Sequence, residues 1–389
     1  MKQKFETLAI RAQAERSQHK EHTVPLYLTS SYVFEDVEQG AALFSGGHDG
    51  YMYSRVANPN TDEFANKLAL LEGGEAGIAT ATGMSAVFST FGALLKAGDH
   101  LVSSTSIFGS TRHVIEQILP GWDIGYSFVS LKDKEGWQKA FNKNTKLVYV
   151  ETPANPTLDL VDIEWLAGLC HDHGALLIVD NCFATPYLQQ PLQLGADIVL
   201  HSATKFLDGQ GRVMGGAIVG SSEVIEKCSA FIQKTGPSLS PFNAWVLSKS
   251  LETLAVRMDR HCDNAMRLAE FLTDRKEVAK VVYPFLPGFE QYELARKQMK
   301  MGGGLVTCDL AGGLGAGKKF MNALKLHSLT ANLGDTRSIA THPASTTHSK
   351  LTPEQQLQIG ISPGLVRFSV GLENIEDILA DVEQALDTL

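Results

Sequence analysis

Leu176-Leu177-Ile178-Val179-Asp180-Asn181 and, 25 positions further on, His201-Ser202-Ala203-Thr204-Lys205 decide how this chain folds. Each follows a short apolar run, 175–179 in the first case and 196–200 in the second, where only Asp197 interrupts it. Apolar runs without polar alternation mark strands covered on both faces, the pattern of a parallel sheet. An acid at the end of one strand and a lysine just past the next lie where open parallel sheets bind their ligands, beyond the carboxyl ends.

Working outward, helix and strand alternate from Asn58 to about Val256. The stretch 61–71 reads as a helix, opened by Asn58-Pro59 and closed by Gly73-Gly74. Strands are predicted at 76–81, 100–103, 147–151, 176–180, 198–201 and 217–219, with helices such as 84–95 and 163–173 between them. That rhythm predicts an α/β fold with a mostly parallel, doubly wound sheet. Beyond Leu254 the pattern changes to a smaller α+β C-terminal domain, with strands at 305–310 and 365–370 and a final amphipathic helix at 376–386. Residues 1–57 show little periodicity and are aromatic and glycine-rich from Val24 to Arg55. They read as an arm that packs on a neighbouring subunit. The expected division is therefore 1–57, 58–256 and 257–389.

The 389 residues suffice for two domains, and 44% hydrophobic with 20% charged residues is ordinary for a globular chain. A net charge of −9 argues against nucleic acid or an anionic membrane as partner. No apolar stretch approaches a membrane span, and the N-terminus lacks the apolar core of a signal peptide. The five cysteines are scattered, with no C-x-x-C pair, and read as reduced thiols of a cytoplasmic protein. His171 and His173, two apart on a helix, face different ways and make no metal site.

Thr80-Ala81-Thr82-Gly83-Met84-Ser85 leaves a strand and opens a helix, where free N–H groups and the dipole favour a phosphate. Ser202 and Thr204 offer hydroxyls to the same group. Tyr53 and Arg55 of the arm offer a hydroxyl and a bidentate guanidinium, which requires the arm to cross to a partner's site. Gly209-Gln210-Gly211-Arg212 lacks dinucleotide-loop spacing and reads as turns shaping the lysine loop. A lysine, an acid and a phosphate cradle together suit pyridoxal phosphate: the lysine links it covalently, and the acid keeps the pyridine nitrogen protonated.

These segments, with Tyr53-Ser54-Arg55-Val56-Ala57-Asn58-Pro59, Glu151-Thr152-Pro153-Ala154-Asn155-Pro156 and His342-Pro343-Ala344-Ser345, resemble the Cys/Met-metabolism family of pyridoxal-phosphate enzymes. The family includes cystathionine γ-synthase, cystathionine γ-lyase, methionine γ-lyase and the homoserine-ester sulfhydrylases. The resemblance runs over nearly the whole chain and implies a fold-type-I architecture. It implies Lys205 as the cofactor-linking lysine and proton shuttle, and Asp180 as partner of the pyridinium nitrogen. Gly83, Met84, Ser202 and Thr204, with Tyr53 and Arg55 from a neighbouring subunit, are implied to hold the phosphate. Asn155 falls near the ring, Arg367 on the substrate α-carboxylate, and the oligomer is implied to be a tetramer of two such dimers.

Two positions depart from the family. Phe108 stands where most members carry tyrosine; its ring still stacks on the cofactor, but no hydroxyl can move a proton. Asn332 stands where serine is frequent, and can orient the carboxylate. Ser106 to Thr111, Asp208 to Val213 and Gly334 to Ser338 resemble the branch that takes O-succinylhomoserine and sulfide to homocysteine and succinate. The succinyl carboxylate calls for a second cation, and Arg337 and Arg212 are the candidates. The rival readings are cysteine as nucleophile, an O-acetyl ester as substrate, γ-elimination, and a homologue that binds cofactor without turnover.

Overall fold

The computed structural model describes residues 3–45, 50–350 and 352–389, and its strands form two sheets. The larger contains β1 (Ala76–Thr80), β2 (His100–Ser104), β3 (Gly125–Val129), β4 (Thr145–Glu151), β5 (Leu176–Asp180), β6 (Ile198–Ser202) and β7 (Gly216–Gly220). Their order is β1-β7-β6-β5-β4-β2-β3, with every pair parallel except those made by β7, which runs against both β1 and β6. The mostly parallel sheet expected from the apolar runs is present. Strand β3 has no counterpart among the expected strands. It lies at the sheet edge, and its first residues are exposed, so it carries no continuous apolar run.

Helices cover both faces, which is why the runs 147–150, 176–179 and 198–200 of β4, β5 and β6 are apolar. On one face Ile178, Ile198 and Leu200 pack against Ala86, Phe91, Ile115 and Cys228. On the other, Leu177 and Val179 pack against Ile163, Leu166 and Trp137. Burying each such aliphatic side chain contributes about 1.5–3 kcal/mol. The helix Pro59–Glu72 opens on Asn58, whose side chain accepts from Asn60 N–H, and ends at Gly73 with φ 74°.

The second sheet contains β8 (Val278–Val282), β9 (Leu305–Leu310), β10 (Ser328–Leu329), β11 (Ile339–Thr341) and β12 (Leu365–Ser369), in the order β10-β11-β12-β9-β8. All its pairs are antiparallel except β10–β11. The helix Leu254–Thr273 joins the two layers. Leu254 and Met258 belong to the core beneath the first sheet, Leu268 and Leu272 to the core of the second.

The N-terminal segment departs from its expected irregularity. Phe5–Arg11 and Val37–Ser45 are helices. The first lacks a capping side chain; it is held by packing, with Ala9 buried, Leu8 against the first core and the Phe5 ring 5.1 Å from Tyr187. Packing of that kind leaves no mark in local sequence. Among the described residues no helix is long and apolar enough to cross a membrane.

Candidate active site

Three strand ends and two loops converge. Asp180 closes β5, Glu151 closes β4 beside it, and Ser202 closes β6, after which the chain turns into Lys205. That turn is held by its main chain: Lys205 N–H donates to Ser202 O at 3.3 Å, and Gly209 N–H to Lys205 O at 2.8 Å. Arg257 fastens it from below, donating to Phe206 O at 2.6 Å and Leu207 O at 3.2 Å. Gly209 adopts φ 70°, and a Cβ there would overlap the Arg257 guanidinium, so glycine is required twice over. The glycine turns expected to shape the lysine loop do so. From the second sheet Gly334 comes so close that a Cβ would lie 2.9 Å from Lys205 C.

Lys205 Nζ donates to Asn332 Oδ1 at 2.5 Å. Burial, with the nearby Arg367 charge adding to it, holds the amine below the ordinary lysine range despite the opposing Cys182. Arg367, on β12, is almost wholly buried. It donates to Asn155 Oδ1 at 2.8 Å, Asn332 O at 3.1 Å and Thr341 Oγ1 at 3.4 Å, while its Nε has no partner. Burial lowers its guanidinium to about 10. A buried cation hydrogen-bonded to neutral groups and with an orphaned N–H is built to receive an anion.

Asp180 Oδ1 accepts from Cys182 N–H at 3.0 Å, and its Oδ2 lies 3.3 Å from Tyr149 Oη. Burial raises its carboxyl; Cys182 N–H, His201 and Tyr149 act the other way. The helix Gly83–Leu94 is capped by Thr82, which accepts from Ser85 N–H at 3.0 Å. The N–H groups of Gly83 and Met84, in its first turn, are among those that a helix cannot satisfy itself. Gly83 also admits the close approach of β6: a Cβ there would lie 2.6 Å from Ser202 Cβ. Thr204 Oγ1 bonds the main chain of Gly215, and Met84 Sδ lies 3.7 Å from Thr111 Oγ1. A part-buried acid, an amine of lowered basicity, a helix N-terminus beside a serine and an orphaned arginine fit pyridoxal phosphate carrying an amino acid.

Other expected residues stand apart. Tyr53 and Arg55 do not join the cluster within one chain. Arg55 donates to Gln233 O on the helix Ser222–Thr235 and lies over the Tyr53 ring. Arg337 is doubly bonded to Asp335, at 2.8 Å each, and Arg212 to Asp208. Both candidate cations for a second carboxylate are thus already paired. Phe108 is half exposed, and its N–H donates to Glu151 Oε1 at 2.8 Å. Glu151 was assigned no role from sequence, although it ends an apolar strand just as Asp180 does. Burial and the Asp180 charge push it up to about 8.

The model of the Cys/Met metabolism PLP-dependent enzyme family matches residues 6–387. The chain is 46% identical to O-succinylhomoserine sulfhydrylase of Pseudomonas aeruginosa, over 99% of this chain and 96% of that one. It is 45% identical to L-methionine gamma-lyase of Porphyromonas gingivalis, over 100% and 98%. Among solved structures, the metY protein of Campylobacter jejuni superposes with a TM-score of 0.94 at 32% identity, covering 98% of this chain and 99% of that one. That structure carries N'-pyridoxyl-lysine-5'-monophosphate.

Proposed function

Because the chain belongs to the Cys/Met metabolism family of pyridoxal-phosphate-dependent enzymes, we propose that it catalyses γ-replacement, converting O-succinylhomoserine and sulfide into homocysteine and succinate. It is a fold-type-I enzyme, and pyridoxal phosphate is its cofactor. The relatives include both sulfhydrylases and methionine lyases, so the substrate rests on the site. The observation that carries it is Phe108. A thiolate leaving group, with a parent pKa near 8.5, departs readily only when protonated, whereas a carboxylate with a parent pKa near 4 leaves as the anion. A site with phenylalanine in place of the family's tyrosine suits the ester and not the thioether.

Bound pyridoxal phosphate supplies an electron sink for negative charge at the substrate Cα. Asp180 holds the pyridine nitrogen protonated. Gly83, Met84, Ser202 and Thr204 hold the phosphate. Arg367, steadied by Asn155, clamps the α-carboxylate and so fixes the Cα–H bond relative to Lys205. The Lys205 amine, of lowered basicity and seated on Asn332, would take the Cα proton, hand it on before taking a Cβ proton from the same face, and return protons to both carbons once sulfide has added at Cγ. Loss of succinate opens Cγ to sulfide. Arg337, the more exposed of the two paired cations, receives the succinyl carboxylate by exchanging it for Asp335. Arg337→Ala then raises KM for the succinyl ester more than for the acetyl ester, and equal effects sink that assignment.

Tyr53 and Arg55 complete the phosphate site of a second copy. The exposed Leu28, Val33, Val37 and Phe44 near them give that copy an apolar surface to cover. This makes 1–57, beyond the helix Phe5–Arg11 that packs on its own chain, the exchanged arm, 58–256 the cofactor domain and 257–389 the C-terminal domain of a tetramer. Normal cofactor retention in Arg55→Ala would remove the shared arm from the proposal.

The deciding experiment offers O-succinylhomoserine with sulfide and cysteine together, followed by mass spectrometry. Homocysteine is the expected product. Cystathionine would make cysteine the nucleophile, and a 2-oxo acid with ammonia would make the reaction an elimination.

A further inference from the structure

Glu151 and Asp180 are register partners across β4 and β5, so two strand-end carboxyls lie side by side, the first buried and the second partly so. Tyr149 Oη stands between them, 3.2 Å from Glu151 Oε1 and 3.3 Å from Asp180 Oδ2. A phenol has one proton and can donate to only one of them. The other oxygen contact is favourable only when a carboxyl proton is donated back to the phenol. Three oxygens therefore share two protons, and one carboxyl is neutral.

The surroundings decide which. Asp180 faces His201 and the Cys182 N–H, both of which favour its ionised form. Glu151 faces Asp180, Tyr149 and the Phe108 N–H, with no cation among them. Around these, the Thr111 hydroxyl faces Tyr149, and the Cys182 thiol is kept neutral by burial. We propose that Glu151 is a positioning residue that carries a proton at neutral pH, completing a chain from Glu151 through Tyr149 to Asp180. The chain keeps the negative charge on Asp180, and the same carboxyl fixes the main chain of Phe108, the residue placed on the cofactor ring. The rise of Glu151 to about 8 agrees with this. The proposal rests on the reading of Asp180 as partner of the ring nitrogen.

Infrared difference spectra of the apoprotein near neutral pH, wild type against Glu151→Gln, test the proton itself. A protonated-carboxyl stretch lost in the variant is expected; its absence from the wild type overturns the proposal. The positioning role is read by titrating apoprotein with pyridoxal phosphate. Glu151 Oε1 meets both Tyr149 and the Phe108 N–H, so glutamine serves both only by turning its NH2 to the phenol and its oxygen to the N–H. With that turn Glu151→Gln should bind within about threefold of wild type, and Glu151→Ala about tenfold more weakly. Equal loss in both, or no loss in alanine, overturns the role. Should alanine not fold, Tyr149→Phe replaces it, with at least about threefold loss expected and none overturning the chain. Asp180→Ala separates the two readings. Unchanged cofactor affinity there means the ring nitrogen lies elsewhere, whereas loss there with none in Glu151→Ala refutes Glu151 alone.

Discussion

Lys205 and Arg367 meet through one residue: Asn332 accepts from the lysine Nζ with its side chain at 2.5 Å and from the arginine Nη2 with its carbonyl at 3.1 Å. The proposed base and the proposed carboxylate clamp are thus set relative to each other by a single residue from the second sheet's loop. Among the described residues neither Lys205 nor Arg367 is paired with an acid, so no carboxylate opposes the burial that lowers the amine.

Asn332→Asp tests that arrangement through pH. The wild-type amine lies below its ordinary range because of burial and, secondarily, Arg367. A base works only when neutral, so activity falls as pH drops through its pKa. A carboxylate at 332 favours the ammonium and raises that pKa. The acid limb of kcat/KM should move up by about one pH unit or more. KM should rise as well, because the new charge competes for Arg367. An acid limb that stays in place would show that Lys205 is not the group titrating there.

Arg367→Lys should be far from conservative. Lysine cannot reach Asn155, Asn332 and Thr341 with three fixed donors and still present an N–H to a carboxylate. Losing a buried charge-assisted contact of this kind costs about 2–5 kcal/mol in binding. KM for the amino-acid substrate should rise by about 30-fold or more, with the cofactor's visible band unchanged. A normal KM would place the α-carboxylate elsewhere.

How much of this was legible depends on where each residue's role arises. Asp180 and Lys205 announce themselves because each follows an apolar run, and a polar residue at the end of a buried strand stands out. Gly83 and Met84 do so because a strand-to-helix turn advertises its free N–H groups. Arg367 is invisible to such reasoning and came only through resemblance; it lies on β12 of the other sheet, and only tertiary packing brings it to Lys205. Glu151 depends on cross-strand register with Asp180, which sequence does not state. The pairing of Arg337 with Asp335 is set by the turn of the loop between β10 and β11 and not by any periodicity, so the sequence offers Arg337 as a candidate without showing its partner.

Acid sensitivity should have an identifiable source in His261. Its Nδ1 lies 2.6 Å from Val370 O, tying the helix Leu254–Thr273 to the end of β12, while its Nε2 is buried without a partner. Burial, the largest cause, lowers its pKa from 6.5 to about 4. The unfolded chain binds the proton more tightly, so the stability is complete above 6.5 and is lost as pH falls toward 4. The loss reaches about 3 kcal/mol at most. Unfolding free energies of His261→Gln should lack that slope between these two values. Parallel slopes in wild type and variant would assign the sensitivity to other groups.

Phe108→Tyr should change what the enzyme eliminates more than how it binds. The N–H that anchors the position to Glu151 belongs to the main chain and survives the substitution. The side chain is half exposed, so an added hydroxyl has room and water to satisfy it. What is gained is a proton donor over the cofactor, which assists a thiolate leaving group and is superfluous for succinate. Positioned general acids contribute about 100-fold or more to such steps. Release of methanethiol from methionine should therefore rise by about tenfold or more relative to homocysteine formation from the succinyl ester. If the ratio does not change, Phe108 does not decide the leaving group, and methionine elimination stands as an equal reading of this site.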